Sequence, residues 1–451
     1  MSRKIGMIDK QDRESLTLDR ASVGLPGAPS AAEDELRDAG IDPDRLAIRW
    51  LGPPRALLKS AKPLWKSRFS FGILLWLGLL FAEHFTLNLP QWAWAGLFLF
   101  IGLIILQAAC EALISSTERL AARLKWTHYV AGTVTEILAT LPELVVIAFL
   151  IPISPVTALT VALITLYNNT LVFSLYSYFL PKNQSGKFLM PAPITEVGSQ
   201  VLIAGAGISL SLGLIMLTFT ATDHKKDSFS SADLIVLGII LLVIFSVYVY
   251  KLVTRYSKEE DQVQSTLQLS EKESEERIEL PYAGVQQSNL IQIGLLFIVG
   301  IMGSVIGGEL ISRFAEVSIS DIGLNSLLTA LLLAGFAGMS EYVILWKTHR
   351  KNEHGIALAN AFGGITQVLL LILPFTVISI GLYQLFTGDV HQELPMVFDV
   401  SLILLVLFLF PTFFVLLELI AEDHTFDLLD TTIMTSMVAV LILLLVSYGA
   451  N

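Results

Sequence analysis

Two glutamates, Glu143 in ATLPELVV and Glu341 in AGMSEYVI, lie inside apolar stretches long enough to cross a membrane. A carboxylate at bilayer depth costs roughly 3 kcal/mol on insertion scales, so it marks a function or a specific partner. A shift of 198 residues carries Glu143 onto Glu341, and the same shift carries Asn169 onto Gln367. Each half of the chain therefore supplies a carboxylate and, one helix later, a carboxamide. A hard divalent cation such as calcium gathers about six to eight oxygens from carboxylates, carbonyls and waters. Glu143, Glu341, Thr140, Asn169 and Gln367 form a candidate donor set for such an ion. This duplicated arrangement is that of an ion transporter, and the metal would be cargo rather than a cofactor.

The residues beside the two glutamates reinforce this chemistry. Pro142 precedes Glu143, and a proline inside a helix removes a backbone donor and frees carbonyls of the preceding turn. In the second half Gly335 and Gly338 replace the proline, so Pro142, Gly335 and Gly338 are the expected helix breaks. Glu136 lies two turns before Glu143 on roughly the same face and is a candidate proton or sodium site; an interhelical hydrogen bond explains it equally well. Glu111 and Glu309, in the helices that open each half, are further coupling-ion candidates, with pairing to Arg119 or Arg313 as their structural alternative. Gly363, Gly364 and Thr366 belong to a stretch of small residues that lets helices approach closely. Helix packing alone accounts for the two glycines.

The elements that must hold these residues follow from composition. With 451 residues, 54% hydrophobic and 15% charged, and apolar residues in long blocks, the chain reads as an all-α polytopic membrane protein. Segments near the length of about 20 residues that a helix needs to span the hydrocarbon fall at 69–86, 92–118, 128–152, 155–180, 197–220, 232–254, 288–312, 323–347, 355–384, 396–420 and 428–448. These make about 11 transmembrane helices. The one cysteine, Cys110, excludes an intramolecular disulfide and a cysteine-based metal site. Neither HExxH nor Gly-x-Ser-x-Gly is present, which argues against an enzyme. No cofactor and no nucleic-acid partner is expected; inorganic cations and the lipid bilayer are, and a homo-oligomer is left open.

The sequence divides into a polar tail (1–68), a leading helix (69–86), five helices (92–254), an acidic linker (255–286) and five more helices (288–451). An odd number of helices per half makes equivalent helices run in opposite directions. Such inverted repeats place a binding site at the midplane, which rocking exposes to each side in turn. Arg55, Lys59, Lys62, Lys66, Arg68, Arg119, Arg123, Lys125, Lys182, Lys187, Lys347, Arg350 and Lys351 crowd one side. By the positive-inside rule the tail is cytoplasmic and the C-terminus lies opposite, with the cell (inner) membrane as the expected location.

The stretch GMSEYVILWKTHRKNEHGIALANAFGGITQVLLLILP resembles the second alpha-repeat of the calcium/cation antiporter superfamily, especially its calcium/proton exchanger branch. Glu341, Gly363, Thr366, Gln367 and Pro374 match that repeat. LATLPELVV is similar to the Gly-Thr-Ser-Leu-Pro-Glu signature of the sodium/calcium exchanger branch, with Glu143 as its glutamate. SSTERLAARL and the C-terminal IAEDHTFDLLDTTIMTSMVAVLILLLVSY also resemble segments of these exchangers. The chain departs from the pattern in three places. A Gly-Asn dipeptide before the acidic residue is missing in both repeats, Tyr342 stands where a histidine often follows, and Thr165-Leu166 replaces Gly-Ser.

The resemblance implies an alternating-access antiporter in which Glu143 and Glu341 ligate calcium and also receive the counter-ion, protons or, in the alternative, sodium. Readings from other classes are a non-transporting ion sensor and a membrane-embedded enzyme.

Overall fold

The computed structural model describes residues 65–85, 89–124, 126, 128–182, 186–190, 193–221, 229–274, 289–338, 341–342, 345–346, 349, 354–387 and 399–448. Nearly all of them are helical. The elements are α1 (Trp65–His84), α2 (Gln91–Leu124), α3 (His128–Ala139), α4 (Leu141–Leu150), α5 (Pro155–Ser177), α6 (Ser199–Ala221), α7 (Ser231–Ser274), α8 (Leu290–Ser320), α9 (Ser326–Ala337), α10 (His354–Gln367), α11 (Leu373–Thr387), α12 (Val400–Ala421) and α13 (Leu428–Tyr448). Two π-helical segments, Pro193–Gly198 and Val368–Ile372, lead into α6 and α11. Residues 341–342 and 345–346, after α9, are helical as well.

Among the described residues, eight helices are long and apolar enough to cross a membrane. Each of the eleven segments expected from the sequence falls on a helix or on a pair of helices broken in the middle. The outer surface carries exposed apolar side chains, among them Leu74, Trp92, Phe100, Val247, Ile291 and Leu443. Such a face suits lipid, where backbone polar groups must be satisfied inside helices. The protein is an integral, multi-pass membrane protein.

The helix α5 forms the centre. Ser154 caps it, its side chain accepting from the Thr157 N–H, and Pro155 begins it with a φ already set for helix. The hydroxyls of Thr165, Thr170 and Ser174 donate to carbonyls one turn back (2.8–2.9 Å), so these buried polar side chains are satisfied within a largely buried helix.

The inversion of the two halves is visible in how equivalent helices meet. Along α2 and α8, Gly102 faces Ile311 and Gly307, while Ala109 faces Gly300 and Gly303. Advancing along one helix means retreating along the other, so α2 and α8 are antiparallel. The pair α6 and α12 behaves the same way, Gly205 lying against Phe413 and Gly213 against Leu407. Because each pair joins elements related by the repeat, the two five-helix units point in opposite directions across the bilayer.

The contact of α2 with α8 depends on missing side chains. A Cβ on Gly102 would lie 3.2 Å from the Gly307 carbonyl oxygen, and one on Gly307 would lie 3.1 Å from that of Gly102. Small residues let the two backbones approach this closely.

Two features were not anticipated. The α7 helix continues to Ser274, so the first part of the expected linker 255–286 is helical; residues 275–286 lie outside the described residues, as does nearly all of the tail. Phe188–Leu189 and Thr425–Phe426 form a two-stranded antiparallel pair that ties the loop before α6 to the loop before α13. Lys187 and Asp423 form an ion pair beside it.

Candidate functional site

The site is built on two helix breaks that obey the repeat. After α3, Thr140 leaves regular helix geometry (φ −82°, ψ −10°), and α4 restarts with Pro142 in its first turn. After α9, Gly338 does the same (φ −70°, ψ 4°). These two positions are themselves related by the 198-residue shift. The restart is closed by the Glu143 N–H donating to the Thr140 carbonyl (3.0 Å), and in the second half by the Tyr342 N–H donating to the Gly338 carbonyl (3.1 Å). Glu143 and Glu341 each stand three residues past the break, at the N-terminal end of a new helical segment, where the helix dipole favours an anion. Gly335, expected as a second break, instead lies inside α9 with open space around it, since an exposed glycine is tolerated in a helix whose neighbours supply propensity.

The helices that face these breaks come from the opposite repeat. Asn169 on α5 donates from Nδ2 to Oε1 of Glu341 (3.3 Å). Gly364 on α10 makes room for this pair: a Cβ there would lie 2.8 Å from both the Asn169 nitrogen and Glu341 Oε1. Next to Asn169, Asn168 accepts at Oδ1 from the Tyr342 hydroxyl (2.7 Å). Thus two neighbouring asparagines of the first repeat hold two neighbouring residues of the second.

Glu143 lies on the wall of a cavity of about 60 Å³ with Gln107, Cys110, Ala139, Pro142 and Thr165. That is room for several waters or a partly hydrated ion. Glu341 does not line this cavity, yet its charge acts on Glu143 and on Glu136, so the three carboxylates share one electrostatic neighbourhood. Four buried oxygens in it have no hydrogen-bond partner: Glu136 Oε1, Glu143 Oε2, Asn169 Oδ1 and Glu341 Oε2. Buried acceptors without donors are costly, and a cation offsets that cost directly. Among the described residues no group of three or more His, Cys, Asp and Glu is gathered as tightly as a resident metal site requires. A transported ion at this place would draw on Asn169, backbone carbonyls and water besides the carboxylates.

The other expected residues are placed as follows. Thr140 is buried, its hydroxyl donating to the Ile137 carbonyl (2.8 Å) at the break. Gln367 is buried at the last position of α10, where the π-helical segment begins. That segment precedes Pro374, whose missing N–H and bulky ring oppose a regular turn; Tyr176 occupies the corresponding place in α5, which stays regular. Gly363 lies against the Glu136 carboxylate, and Thr366 donates to the Gly363 carbonyl (2.9 Å). Glu111 pairs with Arg68 (3.1 Å). Glu309 pairs with Arg313 (3.3 Å), which also holds Glu83 (2.8 Å).

Sequence reasoning passed over Asn168, Tyr248 and Gln107. The first was within reach, because the 198-residue shift that relates Asn169 to Gln367 also relates Asn168 to Thr366. Nothing in the local pattern marks Tyr248 or Gln107, since α7 and α2 reach the site only through the fold.

Comparison with known proteins agrees with this architecture. Residues 293–450 match the sodium/calcium exchanger protein family. Among solved structures, an H+/Ca2+ exchanger CAX superposes with a TM-score of 0.60 at 14% identity, covering 84% of this chain and 88% of the other. Native YfkE superposes at 0.51 and 14% identity, covering 84% and 98%. The sodium-calcium exchanger NCX_Mj overlaps more loosely, at 0.46 and 16% identity over 78% and 98%. No curated protein matches the chain in sequence.

Proposed function

We propose that this chain belongs to the calcium/cation antiporter superfamily and exchanges calcium or a similar divalent cation for protons across a membrane by alternating access, a reading supported by the family match over residues 293–450 and the shared fold. The observation that carries this reading is the set of partnerless buried oxygens at two symmetry-related helix breaks, Glu143 Oε2 and Glu341 Oε2 with Asn169 Oδ1 between the repeats. Thr140 and Gln367, buried at the break and at the end of α10, complete the donor set.

The exchange follows from competition for shared carboxylates. With both glutamates ionised, a divalent cation is compensated; with protons in its place the charge is again offset. With nothing bound, two anions oppose each other in a medium of low dielectric, and the empty protein resists moving its site across. Obligatory exchange is the consequence. Because the repeats are inverted, one rocking motion closes the path on one side as it opens the other. The basic loops set the amino-terminal tail in the cytoplasm, most simply across the cell membrane.

The test is ion flux in proteoliposomes under separately imposed proton and sodium gradients. A pH gradient alone should drive calcium movement, and E143Q or E341Q should each lower it by about 100-fold or more, since both remove a direct ligand rather than a supporting one. Flux driven only by sodium would establish the sodium/calcium alternative. Undiminished flux in either variant would remove the site. Calcium binding with no flux under any gradient would mark a sensor.

A further inference from the structure

Two helix pairs beside the centre are each tightly closed, yet stand apart from one another. In the first, α6 lies on α12 at glycines: a Cβ on Gly205 would stand 3.1 Å from the Phe413 ring and one on Gly213 2.8 Å from Leu407. In the second, α7 lies on α11 in the same way, a Cβ on Gly238 colliding with Ile378 and one on Gly381 standing 2.8 Å from Ile235. Among the described residues, α6 and α12 do not pack along α7 or α11. The space left between the pairs, with Leu159 and Leu163 of α5 behind it, is a cavity of about 60 Å³.

Its walls are apolar. Among the described residues lining it, Ser209 alone has a polar side chain, and that hydroxyl donates to the Ala206 carbonyl of its own helix (3.0 Å). Such a cavity stays dry. On α6 the lining runs from Gly205 to Met216, about 16 Å along the axis, so the space is a slot that follows the helices. Three of its lining residues, Ile208, Leu212 and Leu237, are only half-buried. Beside them Ile215, Val236 and Ile240 belong to the exposed apolar surface. The slot is therefore continuous with the face that lipid covers. Near the start of α6 it is closed, because Lys251 donates to Gln200 Oε1 (2.8 Å) and Arg255 pairs with Glu196.

We propose that this slot binds one acyl tail of a bilayer phospholipid, which completes the packing between the α6/α12 and α7/α11 pairs. A polar ligand would leave its own hydrogen-bonding groups unpaired there, and a polypeptide segment would leave its backbone unpaired. An acyl tail has no such groups, and the surrounding bilayer supplies it without limit. Left empty, the slot forfeits dispersion contacts that a tail restores. A tail in the slot touches Leu369 and Leu373, in and just after the π-helical segment that follows Gln367, so lipid abuts the backbone leading away from the candidate ion site. The proposal needs only the membrane setting and stands apart from the exchanger reading.

The experiment places the full chain in phosphatidylcholine nanodiscs containing a phosphatidylcholine with a diazirine midway along one tail. After irradiation, mass spectrometry maps the adducts. Met216, Leu234 and Leu241 line the slot and are each 1% exposed, whereas Ile215 and Ile240 face lipid directly and serve as the internal control. Adducts on the three buried residues as well as on the two controls are the expected result. L212W fills the slot and should lose the buried adducts while keeping those on Ile215 and Ile240. Adducts confined to exposed residues would overturn the proposal, and so would buried adducts that persist in folded L212W. If L212W does not fold, I208F narrows the same slot, and the map of the unaltered chain is decisive by itself. Labelling of the buried residues by a diazirine fatty acid, but not by the phospholipid, would also overturn it by assigning the slot to free fatty acid.

Discussion

At the scale of single residues, chemistry is set by which oxygens are left without donors. Asn169 spends its amide N–H on Glu341 and keeps its Oδ1 free. Asn168 does the reverse, accepting from Tyr342 and leaving Nδ2 unpartnered. The second pair is a strut: it fixes the segment that begins at Gly338, and with it the backbone of Glu341. Tyr342→Phe removes the donor and leaves Asn168 Oδ1 buried, so it should cost about 1 to 2 kcal/mol of stability, read as a lower unfolding temperature in detergent. Glu143, Glu341 and the Asn169 that bonds Glu341 stand out in the sequence because a carboxylate in an apolar run is rare, and a second one at a fixed offset is rarer. The strut was not legible. A tyrosine after the glutamate has many readings until the partner that takes its hydrogen bond is known.

At the scale of elements, the breaks and the close helix crossings do the positioning. Pro142 announced the first break, and the proline sits where it should, in the first turn of a restarted helix. The second break was read only to within a turn, since Gly335 and Gly338 both invite irregularity and the tertiary contact decides between them: Gly338 lies against Asn168 and Tyr342, whereas Gly335 touches nothing. The π-helical segment after Gln367 and the extension of α7 also escaped the sequence, one because it depends on how Pro374 packs, the other because polar residues continue a helix without any apolar signal. The antiparallel crossing of α2 and α8 is open to test. Gly307→Val would drive a side chain into Leu106, 2.7 Å from the new Cβ, and toward the Gly102 carbonyl. Overpacking of this kind costs about 1 to 3 kcal/mol, and thermal unfolding in detergent should show it. The equivalent change at Gly294, where nothing lies within 4 Å, should leave the unfolding temperature unaltered.

At the scale of the whole molecule, the inverted repeat puts one glutamate from each half into a common electrostatic neighbourhood, with an asparagine of the first half bound to the glutamate of the second. Segment positions were readable from hydropathy alone; the inversion became a geometric fact only with the antiparallel crossings of α2 with α8 and α6 with α12. The central claim is that both glutamates serve the same divalent ion. Calcium titration of purified protein by isothermal calorimetry, for the unaltered chain, E143Q and E341Q, tests it most directly. One calcium ion per chain, lost in each variant, is the expected result. Two ions per chain, with each variant losing only one, would mean that the glutamates occupy independent sites.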